Sequence, residues 1–255
     1  MKIAILYICT GRYEIFWDNF YKSSETFFLN DANKEYFIFS DSLRLSKLEN
    51  EKVQFVFQEK LGWPYDTLMR FKIFLKVENE LEKYDYIFFI NANMIFLQPV
   101  GIEILPTEED GGLMVVKHPG FFNKANTEFT FERNELSKAY IPYGDGKHYF
   151  MGGFNGGIAK DYLQLIKKLY EQIEADIKNN IIAIWHDESH LNHYMLTHKC
   201  KILDSSYGYP ERWDLPFEPK ILIKDKAKLG GHDFLRSSHG NTIVDKLKML
   251  FIRKK

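Results

Sequence analysis

The sequence contains little cysteine, and this scarcity limits the kinds of site that the chain can form. Cys9 and Cys200 are the only cysteines among 255 residues. They lie far apart, with no CxxC pair and no Cys/His pattern of a structural zinc site. The pattern excludes a disulfide framework and is typical of proteins from a reducing compartment. We expect both residues to be free thiols.

Long hydrophobic runs and an excess of one charge are also missing. No window approaches the roughly 20 apolar residues that a membrane-spanning helix needs, and no small-residue cleavage site follows the short apolar run at residues 1–9. The 34 basic and 35 acidic residues give a formal net charge of -1, so no overall field attracts nucleic acid or a membrane. We therefore expect a cytoplasmic protein that does not bind nucleic acid.

Apolar runs alternate with amphipathic stretches along the chain. The composition of residues 3–8, 36–39, 53–57 and 86–90 is that of strands, whereas residues 13–28, 68–81 and 161–177 have apolar residues at helical spacing. This alternation predicts a single α/β domain with a mainly parallel sheet. Ligands bind at the carboxyl ends of such strands, which places residues 10–13 and 91–93 at the expected site.

The predicted strand at residues 86–90 ends in Asn91-Ala92-Asn93. Acidic residues at such a position commonly hold a divalent cation, but an amide offers a carbonyl oxygen without a charge. Asn91 and Asn93 would therefore hydrogen-bond ligand hydroxyl groups, or simply form a turn. An anionic diphosphate would need other cations near it. The candidates for that role are Arg70, Lys224, Lys226 and Lys228.

A glycine-rich stretch is a second candidate site. Residues 152–157 contain four glycines in six positions, more than the interior of a strand or helix carries without a reason. The spacing matches neither a P-loop nor a dinucleotide-binding fingerprint. The stretch therefore predicts a backbone that a ligand approaches closely, or a flexible or tight loop.

The segment 185–190 combines an indole, two imidazoles and two carboxylates at the start of a predicted helix. Asp187 is a candidate helix cap. Alternatively, Glu188 would stabilise or attack a positively charged sugar carbon, and Trp185 would offer a flat apolar face to the ring. His186 and the histidine four positions later would share one helical face, as in a zinc site. The order of residues differs from that of zinc proteases, however, and no third ligand is evident.

The chain ends in a basic amphipathic stretch, residues 241–255, which we separate from the main domain at residues 1–240. Its apolar residues fall on one face of a predicted helix and its basic residues on the other. A helix docked on the domain is favoured over one that binds a membrane surface.

Five ordered segments together resemble glycosyltransferase family 6, the family of the mammalian histo-blood-group A and B transferases. They are residues 118–121 (HPGF), 129–133 (FTFER), 139–142 (AYIP), 149–157 (YFMGGFNGG) and 185–192 (WHDESHLN). The resemblance implies a GT-A fold, in which a Rossmann-like nucleotide-binding half contains a mixed, mainly parallel central sheet.

The resemblance also implies a reaction and a role for individual residues. Enzymes of this family transfer galactose or N-acetylgalactosamine from a UDP-sugar to a galactose-containing acceptor. They form an α-1,3 linkage and retain the anomeric configuration of the transferred sugar. Here the acceptor is expected to be fucosylated. Glu188 matches the catalytic position. The matching donor-binding residues are Ile8, Thr10, Tyr13, Arg70, Asn91, Ala92, Asn93, Met151, Gly153, His186 and Asp187. The matching acceptor-binding residues are His118, Thr130, Trp185 and Glu188.

The chain departs from the mammalian pattern at Asn91 and Asn93, which replace metal-binding acids. This departure resembles the bacterial, metal-independent branch of the family, so we expect no divalent cation as a cofactor. Gly153 leaves space for an acetamido group, whereas Met151 is the residue of the galactose-specific form. N-acetylgalactosamine is favoured, because lack of space excludes a ligand more strongly than lack of a contact. The alternatives are a carbohydrate-binding protein on an inactive transferase fold and a metal-dependent hydrolase.

Overall fold

The computed structural model describes residues 1–237. The strands in this part of the chain are β1 Lys2–Ile8, β2 Asn33–Ser40, β3 Val53–Phe57, β4 Tyr86–Ile90, β5 Met94–Phe96, β6 Leu113–Lys117, β7 Phe150–Ile158, β8 Lys201–Leu203, β9 Tyr209–Pro210 and β10 Ile221–Ile223. The α-helices are α1 Trp17–Phe27, α2 Tyr65–Leu68, α3 Arg70–Phe74, α4 Glu78–Leu81, α5 Ala159–Lys178, α6 Asp187–Met195 and α7 Gly231–Arg236.

Seven of these strands form the central sheet, in the order β3-β2-β1-β4-β7-β6-β8. β1 is parallel to β2 and β4, β2 to β3, and β6 to β8. β7 is antiparallel to both β4 and β6. A smaller sheet has the order β5-β10-β9. This mixed, mainly parallel sheet confirms the predicted α/β fold of GT-A type.

The central strands are buried on both faces, as their continuous apolar sequences predict. Along β1, Ile3 and Ile5 belong to one core cluster, which also contains Trp17 of α1. Ala4 and Leu6 belong to a second cluster, on which α5 packs. Each fully buried large apolar side chain contributes roughly 1.5–3 kcal/mol. The sheet is therefore a rigid support for the residues that follow its strands.

Residues 10–13 and 91–93 converge at one edge of this sheet. Leu6 of β1 pairs in parallel register with Phe89 of β4, so both strands end on the same side. The predicted convergence is confirmed. A 3-10 helix, Gly11–Phe16, follows β1 and leads into α1, where the sequence predicted one continuous α-helix.

The predicted helix at residues 68–81 is not continuous. The structure divides it into α2, α3, a 3-10 turn at Leu75–Val77 and α4. The prediction of a single amphipathic α-helix was wrong, because Met69 has non-helical backbone angles (φ -89°, ψ 15°) between α2 and α3, and a 3-10 turn separates α3 from α4.

The glycine-rich stretch is a buried strand, β7, and not a loop. A Cβ at Gly156 would lie 2.4 Å from the carbonyl oxygen of Ile87, and one at Gly157 would lie 2.2 Å from that of Gly112. These two glycines therefore permit close contact with neighbouring backbone. The alternative of a flexible or tight loop was wrong, because crowding between strands requires glycine as strongly as a turn does.

Three other expectations concern the whole chain. Cys9 and Cys200 are both free thiols, as expected. Within residues 1–237, none of the helices combines the length and the apolar composition needed to cross a bilayer. The predicted C-terminal helix at residues 241–255 lies outside the described residues.

Candidate functional site

A cavity of about 290 Å³ opens at the carboxyl edge of the central sheet, in front of the start of α6. The predicted site residues in its lining are Ile8, Thr10, Tyr13, Arg70, Asn91, Gly153, Trp185, His186, Asp187, Glu188 and Lys226. Those that the structure places elsewhere are Ala92, Asn93, His118, Thr130, Met151, Lys224 and Lys228. The remaining lining residues were not predicted: Lys60, Trp63, Asp66, Thr67, Phe89, Gly152, His232 and Arg236.

Arg70 is the innermost cation of this cavity. Its Nη1 lies 2.6 Å from Oδ2 of Asp187 and donates a hydrogen bond of 2.7 Å to the carbonyl oxygen of Gly152. Its guanidinium lies 4.1 Å from the centre of the Phe89 ring. Burial raises the pKa of Asp187, and the Arg70 guanidinium opposes that rise. The two buried groups therefore compensate each other's charge.

Glu188 lies in the first turn of α6, next to this ion pair. Its Oε2 accepts a hydrogen bond of 2.7 Å from the backbone N–H of Gly152, and the carboxylate accepts a second from the hydroxyl of Tyr149. Burial nevertheless raises the pKa of Glu188 from 4.5 to about 7. A carboxylate with a perturbed pKa that is oriented by two donors is typical of a catalytic group.

β7 and α6 hold these groups at fixed distances. Oδ1 of Asn192 accepts the N–H of Phe150, and its Nδ2 donates to the carbonyl oxygens of Phe150 and Glu188. The space between the elements is tight, since a Cβ at Gly152 would lie 3.2 Å from Cβ of Glu188 and 3.4 Å from Oδ2 of Asp187. A side chain at position 152 would therefore crowd the first turn of α6, which carries both carboxylates.

A chain of hydrogen bonds leads from Glu188 to the surface. Nε1 of Trp185 donates to Oγ1 of Thr130 at 2.8 Å. The Thr130 hydroxyl donates to Tyr149, which donates to Glu188. The ring of His118 packs on the same tyrosine, with ring centres 5.6 Å apart. His118 and Thr130 thus both contact Tyr149, which the sequence analysis did not select, and Trp185 joins them through Thr130.

His118 is a neutral hydrogen-bonding group. Burial lowers its pKa to about 4. Its Nδ1 accepts a hydrogen bond of 3.0 Å from the backbone N–H of Gly120, so the proton of the neutral ring resides on Nε2. His118 can therefore donate a hydrogen bond to a ligand oxygen across a wide pH range.

His186 and Arg236 both pack on Trp63 beside the cavity. The rings of His186 and Trp63 have centres 4.6 Å apart, and the Arg236 guanidinium lies 3.9 Å from the centre of the Trp63 ring. His186 precedes α6 and has a φ of 56°. It therefore does not share a helical face with His190, and the spacing argument for zinc was wrong. Within residues 1–237, no three His, Cys, Asp or Glu residues are grouped to hold a metal ion.

Lys226 adds a positive charge to the mouth of the cavity. Its Nζ lies 5.3 Å from the centre of the Tyr13 ring. Burial, together with the nearby positive charges of Arg236 and Arg70, lowers its pKa to about 8. Lys226, Arg236 and Arg70 thus line the same cavity, together with Lys60, and an anion bound there would relieve the repulsion among these cations.

Lys224 and Lys228 have different surroundings. Their Nζ atoms lie 2.7 Å and 2.9 Å from Oε1 of Glu211. The structure therefore assigns them to an ion-pair cluster outside the cavity, and of the three predicted lysines only Lys226 lines it.

The two asparagines after β4 also differ. The N–H of Asn91 donates to the carbonyl oxygen of Gly153 at 2.8 Å, and its side chain borders the cavity. Asn93 is 2% exposed, and its Nδ2 donates to the carbonyl oxygen of Lys224 at 2.9 Å. Its Oδ1 is buried without a hydrogen-bond partner among the described residues. Ala92 is buried as well. Only Asn91 therefore faces the ligand space.

Comparisons with known proteins identify the family of this chain. The sequence profile of glycosyltransferase family 6 matches residues 1–236. The chain is 36% identical over 228 residues to the O-antigen biosynthesis glycosyltransferase WbnI of Escherichia coli, and the alignment covers 89% of this chain and 96% of that protein.

Two vertebrate proteins are similar over most of this chain. The chain is 32% identical over 231 residues to globoside alpha-1,3-N-acetylgalactosaminyltransferase 1 of Gallus gallus and 30% identical over 220 residues to histo-blood group ABO system transferase 2 of Rattus norvegicus. These alignments cover 88% and 82% of this chain but only 65% and 64% of the relatives. On the evidence of this profile, these relatives and the GT-A fold, the protein belongs to glycosyltransferase family 6.

Proposed function

We propose that the protein transfers N-acetylgalactosamine from UDP-N-acetylgalactosamine to the 3-hydroxyl of a galactose in a fucosylated acceptor. The α-configuration of the sugar is retained, no divalent cation takes part, and galactose is the alternative donor sugar. The observation that carries the proposal is the position of Glu188. Its carboxylate lies between a cavity lined by cations and an exposed face of aromatic and hydroxyl groups. The cavity suits an anionic nucleotide-sugar, and the exposed face suits a carbohydrate acceptor.

The uridine would bind where β1 and β4 end. The strand order β3-β2-β1-β4 reverses direction at β1, and open α/β sheets bind nucleotides at such switch points. Ile8, Thr10 and Tyr13 line the cavity on that side. Asn91, whose side chain borders the same space, would hydrogen-bond a ribose or sugar hydroxyl.

The diphosphate would bind near Lys226, Arg236 and Arg70. These cations face one cavity, and the low pKa of Lys226 indicates that its charge is not fully compensated in the protein alone. Negative charge grows on the leaving diphosphate during bond cleavage, so cations fixed at this position stabilise the transition state more than the ground state.

The residues after β4 do not fit a divalent cation. Mg²⁺ and Mn²⁺ prefer carboxylate oxygens, and both positions carry amides. The Asn93 side chain is directed at the carbonyl oxygen of Lys224 and lies outside the cavity lining. We therefore propose that protein cations alone neutralise the diphosphate.

Glu188 would act on the donor sugar. As the bond from the anomeric carbon to the diphosphate breaks, positive charge develops on the sugar, and the ionised carboxylate stabilises it. The acceptor hydroxyl attacks from the face that the diphosphate leaves, and its proton passes to the departing diphosphate. Formation and later cleavage of a covalent bond to Glu188 would also retain the configuration. Arg70 and Asp187 would hold the sugar hydroxyls.

Gly153 carries the choice of donor sugar. It lines the cavity, and a Cβ there would lie 2.9 Å from Cε of Met151 and 3.6 Å from Cβ of Asn91. Met151 is itself buried and packs against Gly208, away from the cavity lining. A bound sugar would therefore meet a backbone without a side chain at position 153, and the missing Cβ favours the bulkier N-acetylgalactosamine.

The test is the release of UDP from UDP-N-acetylgalactosamine and from UDP-galactose, with and without 2'-fucosyllactose, in excess EDTA. Acceptor-dependent release in EDTA, faster from the first donor, is the expected result. Release that requires added Mn²⁺ would refute the metal-independent part. No release from either donor would favour a carbohydrate-binding protein.

A matched pair of variants tests the role of Glu188. Glu188→Gln should lower the transfer rate by about 10²–10³, the size expected for loss of a preorganised charge in an active site, while calorimetry shows donor binding retained. Glu80→Gln makes the same change at an exposed position and should leave the rate unchanged. An active Glu188→Gln enzyme would contradict the mechanism.

A further inference from the structure

The loop between β9 and β10 presents a tryptophan at the surface. The N–H of Trp213 donates to the carbonyl oxygen of Pro210 at 3.1 Å. The Tyr209 hydroxyl donates to the carbonyl oxygen of Trp213 and accepts from the N–H of Leu215, both at 2.8 Å. The backbone of the loop is therefore held by three hydrogen bonds, yet the Trp213 residue is 48% exposed. A fixed backbone thus presents a large apolar ring to solvent.

This ring lies next to the residues on the acceptor side of the site. A Cβ at Gly120 would lie 3.6 Å from Cη2 of Trp213 and 3.2 Å from the ring of His118. Phe217 of the same loop packs on Phe122, with ring centres 5.1 Å apart. The loop therefore docks on the segment that carries His118, and Gly120 lies between the imidazole and the indole.

These contacts form a continuous path that starts at Glu188. The Tyr149 hydroxyl donates a hydrogen bond to Glu188, and the ring of His118 packs on Tyr149. Trp213 lies on the other side of Gly120 from His118. An acceptor whose reactive galactose lies at Glu188 and His118 would extend its next sugar towards Trp213.

We propose that Trp213 forms a second carbohydrate subsite, which binds the sugar on the reducing side of the accepting galactose. This inference rests on the proposed function and adds to it the recognition of a further sugar of the acceptor. One face of a pyranose ring carries C–H groups and packs well on the flat apolar surface of an indole. A single exposed tryptophan is ordinary on a protein surface. Trp213 differs because hydrogen bonds fix the backbone of its loop beside the predicted acceptor residues.

The test compares two acceptors that differ only by the reducing-side glucose: 2'-fucosyllactose and methyl 2-O-α-fucosyl-β-galactoside. The wild-type enzyme should have the higher kcat/KM for the trisaccharide. Trp213→Ala should reduce the ratio of the two kcat/KM values about fivefold, as expected for loss of one aromatic packing contact. Trp213→Phe, which retains an aromatic ring, should restore most of the ratio, and Ile102→Ala, an exposed apolar truncation elsewhere, should not change it.

The ratio does not depend on the fraction of folded enzyme, so partial misfolding of a variant cannot imitate the result. An unchanged ratio in Trp213→Ala would overturn the subsite, even if both rates fall equally. Transfer to the methyl disaccharide by the wild-type enzyme tests the proposed function separately. If neither acceptor is used, saturation-transfer NMR with UDP-loaded protein still decides, since the glucose protons of the trisaccharide should lose signal in Trp213→Ala, and an unchanged signal would refute the subsite.

Discussion

Replacement of Tyr149 by phenylalanine should move the acidic limb of the pH–rate profile to higher pH. Tyr149 donates one of two hydrogen bonds that reach the Glu188 carboxylate, and Gly152 donates the other at 2.7 Å. Both bonds favour the ionised carboxylate, so loss of one raises its pKa. The aromatic ring, which stacks on Phe131 with centres 5.1 Å apart, is retained in the variant.

The size of the shift follows from the energy of this bond. A hydrogen bond to a charged group contributes about 1.5–3 kcal/mol, and one pKa unit corresponds to about 1.4 kcal/mol. The pKa of Glu188, which burial raises to about 7, should therefore rise by roughly one to two further units. The ionised form stabilises the positive charge, so the rate at about pH 6 should fall tenfold or more, while the rate at high pH approaches that of the wild type.

The assay is kcat/KM for transfer as a function of pH, in the wild type, in Tyr149→Phe and in Tyr143→Phe. Tyr143 is 79% exposed, and its variant serves as the control for the loss of a hydroxyl. Asp187 and Glu188 are adjacent and interact, so the apparent pKa belongs to the pair, and Arg70 faces both. An equal loss of rate at every pH, or an acidic limb that does not move, would refute the reasoning.

Other substitutions test the buried ion pair, the cavity cation Lys226 and the packing of β7. Arg70→Ala leaves Asp187 buried without its partner and should lower the free energy of unfolding in urea by about 3–5 kcal/mol; a loss near zero would contradict the paired charge. Lys226→Ala should weaken UDP binding in calorimetry about tenfold or more, whereas Lys228→Ala, which removes an exposed ion pair outside the cavity, should change it less than about twofold; equal effects would contradict the assignment. Gly156→Ala should destabilise by about 1–3 kcal/mol in thermal unfolding, because its Cβ would lie 2.4 Å from a carbonyl oxygen of β4, and unchanged stability would refute this packing.

The sequence predicted the parts of the fold that depend on local hydrophobic pattern. β1 and β4 are continuous apolar runs, and such runs have few alternatives to a strand buried on both faces. The broken helix at residues 68–81 escaped prediction, because hydrophobic periodicity indicates helix but does not locate the breaks between short helical segments. β7 escaped because its glycines are required by neighbours, Ile87 and Gly112, that are distant in sequence.

The same distinction applies to the site. Residues within the ordered motifs or directly after β1 and β4, such as Thr10, Asn91 and Glu188, could be selected from sequence and line one cavity. Tyr149 begins a recognised motif, but its hydrogen bond to Glu188 depends on how β7 packs against α6. Arg236 is distant in sequence from the ordered motifs, and only the folded chain brings it to the cavity.

The most direct test of the account is the product formed from UDP-N-acetylgalactosamine and 2'-fucosyllactose in excess EDTA, identified by proton NMR. The account predicts an α-anomeric signal from a new linkage to the 3-hydroxyl of galactose with the wild-type enzyme, and a loss of about 10²–10³ in its rate of appearance with Glu188→Gln. A β-anomeric product, or one that appears only after Mn²⁺ is added, would contradict it.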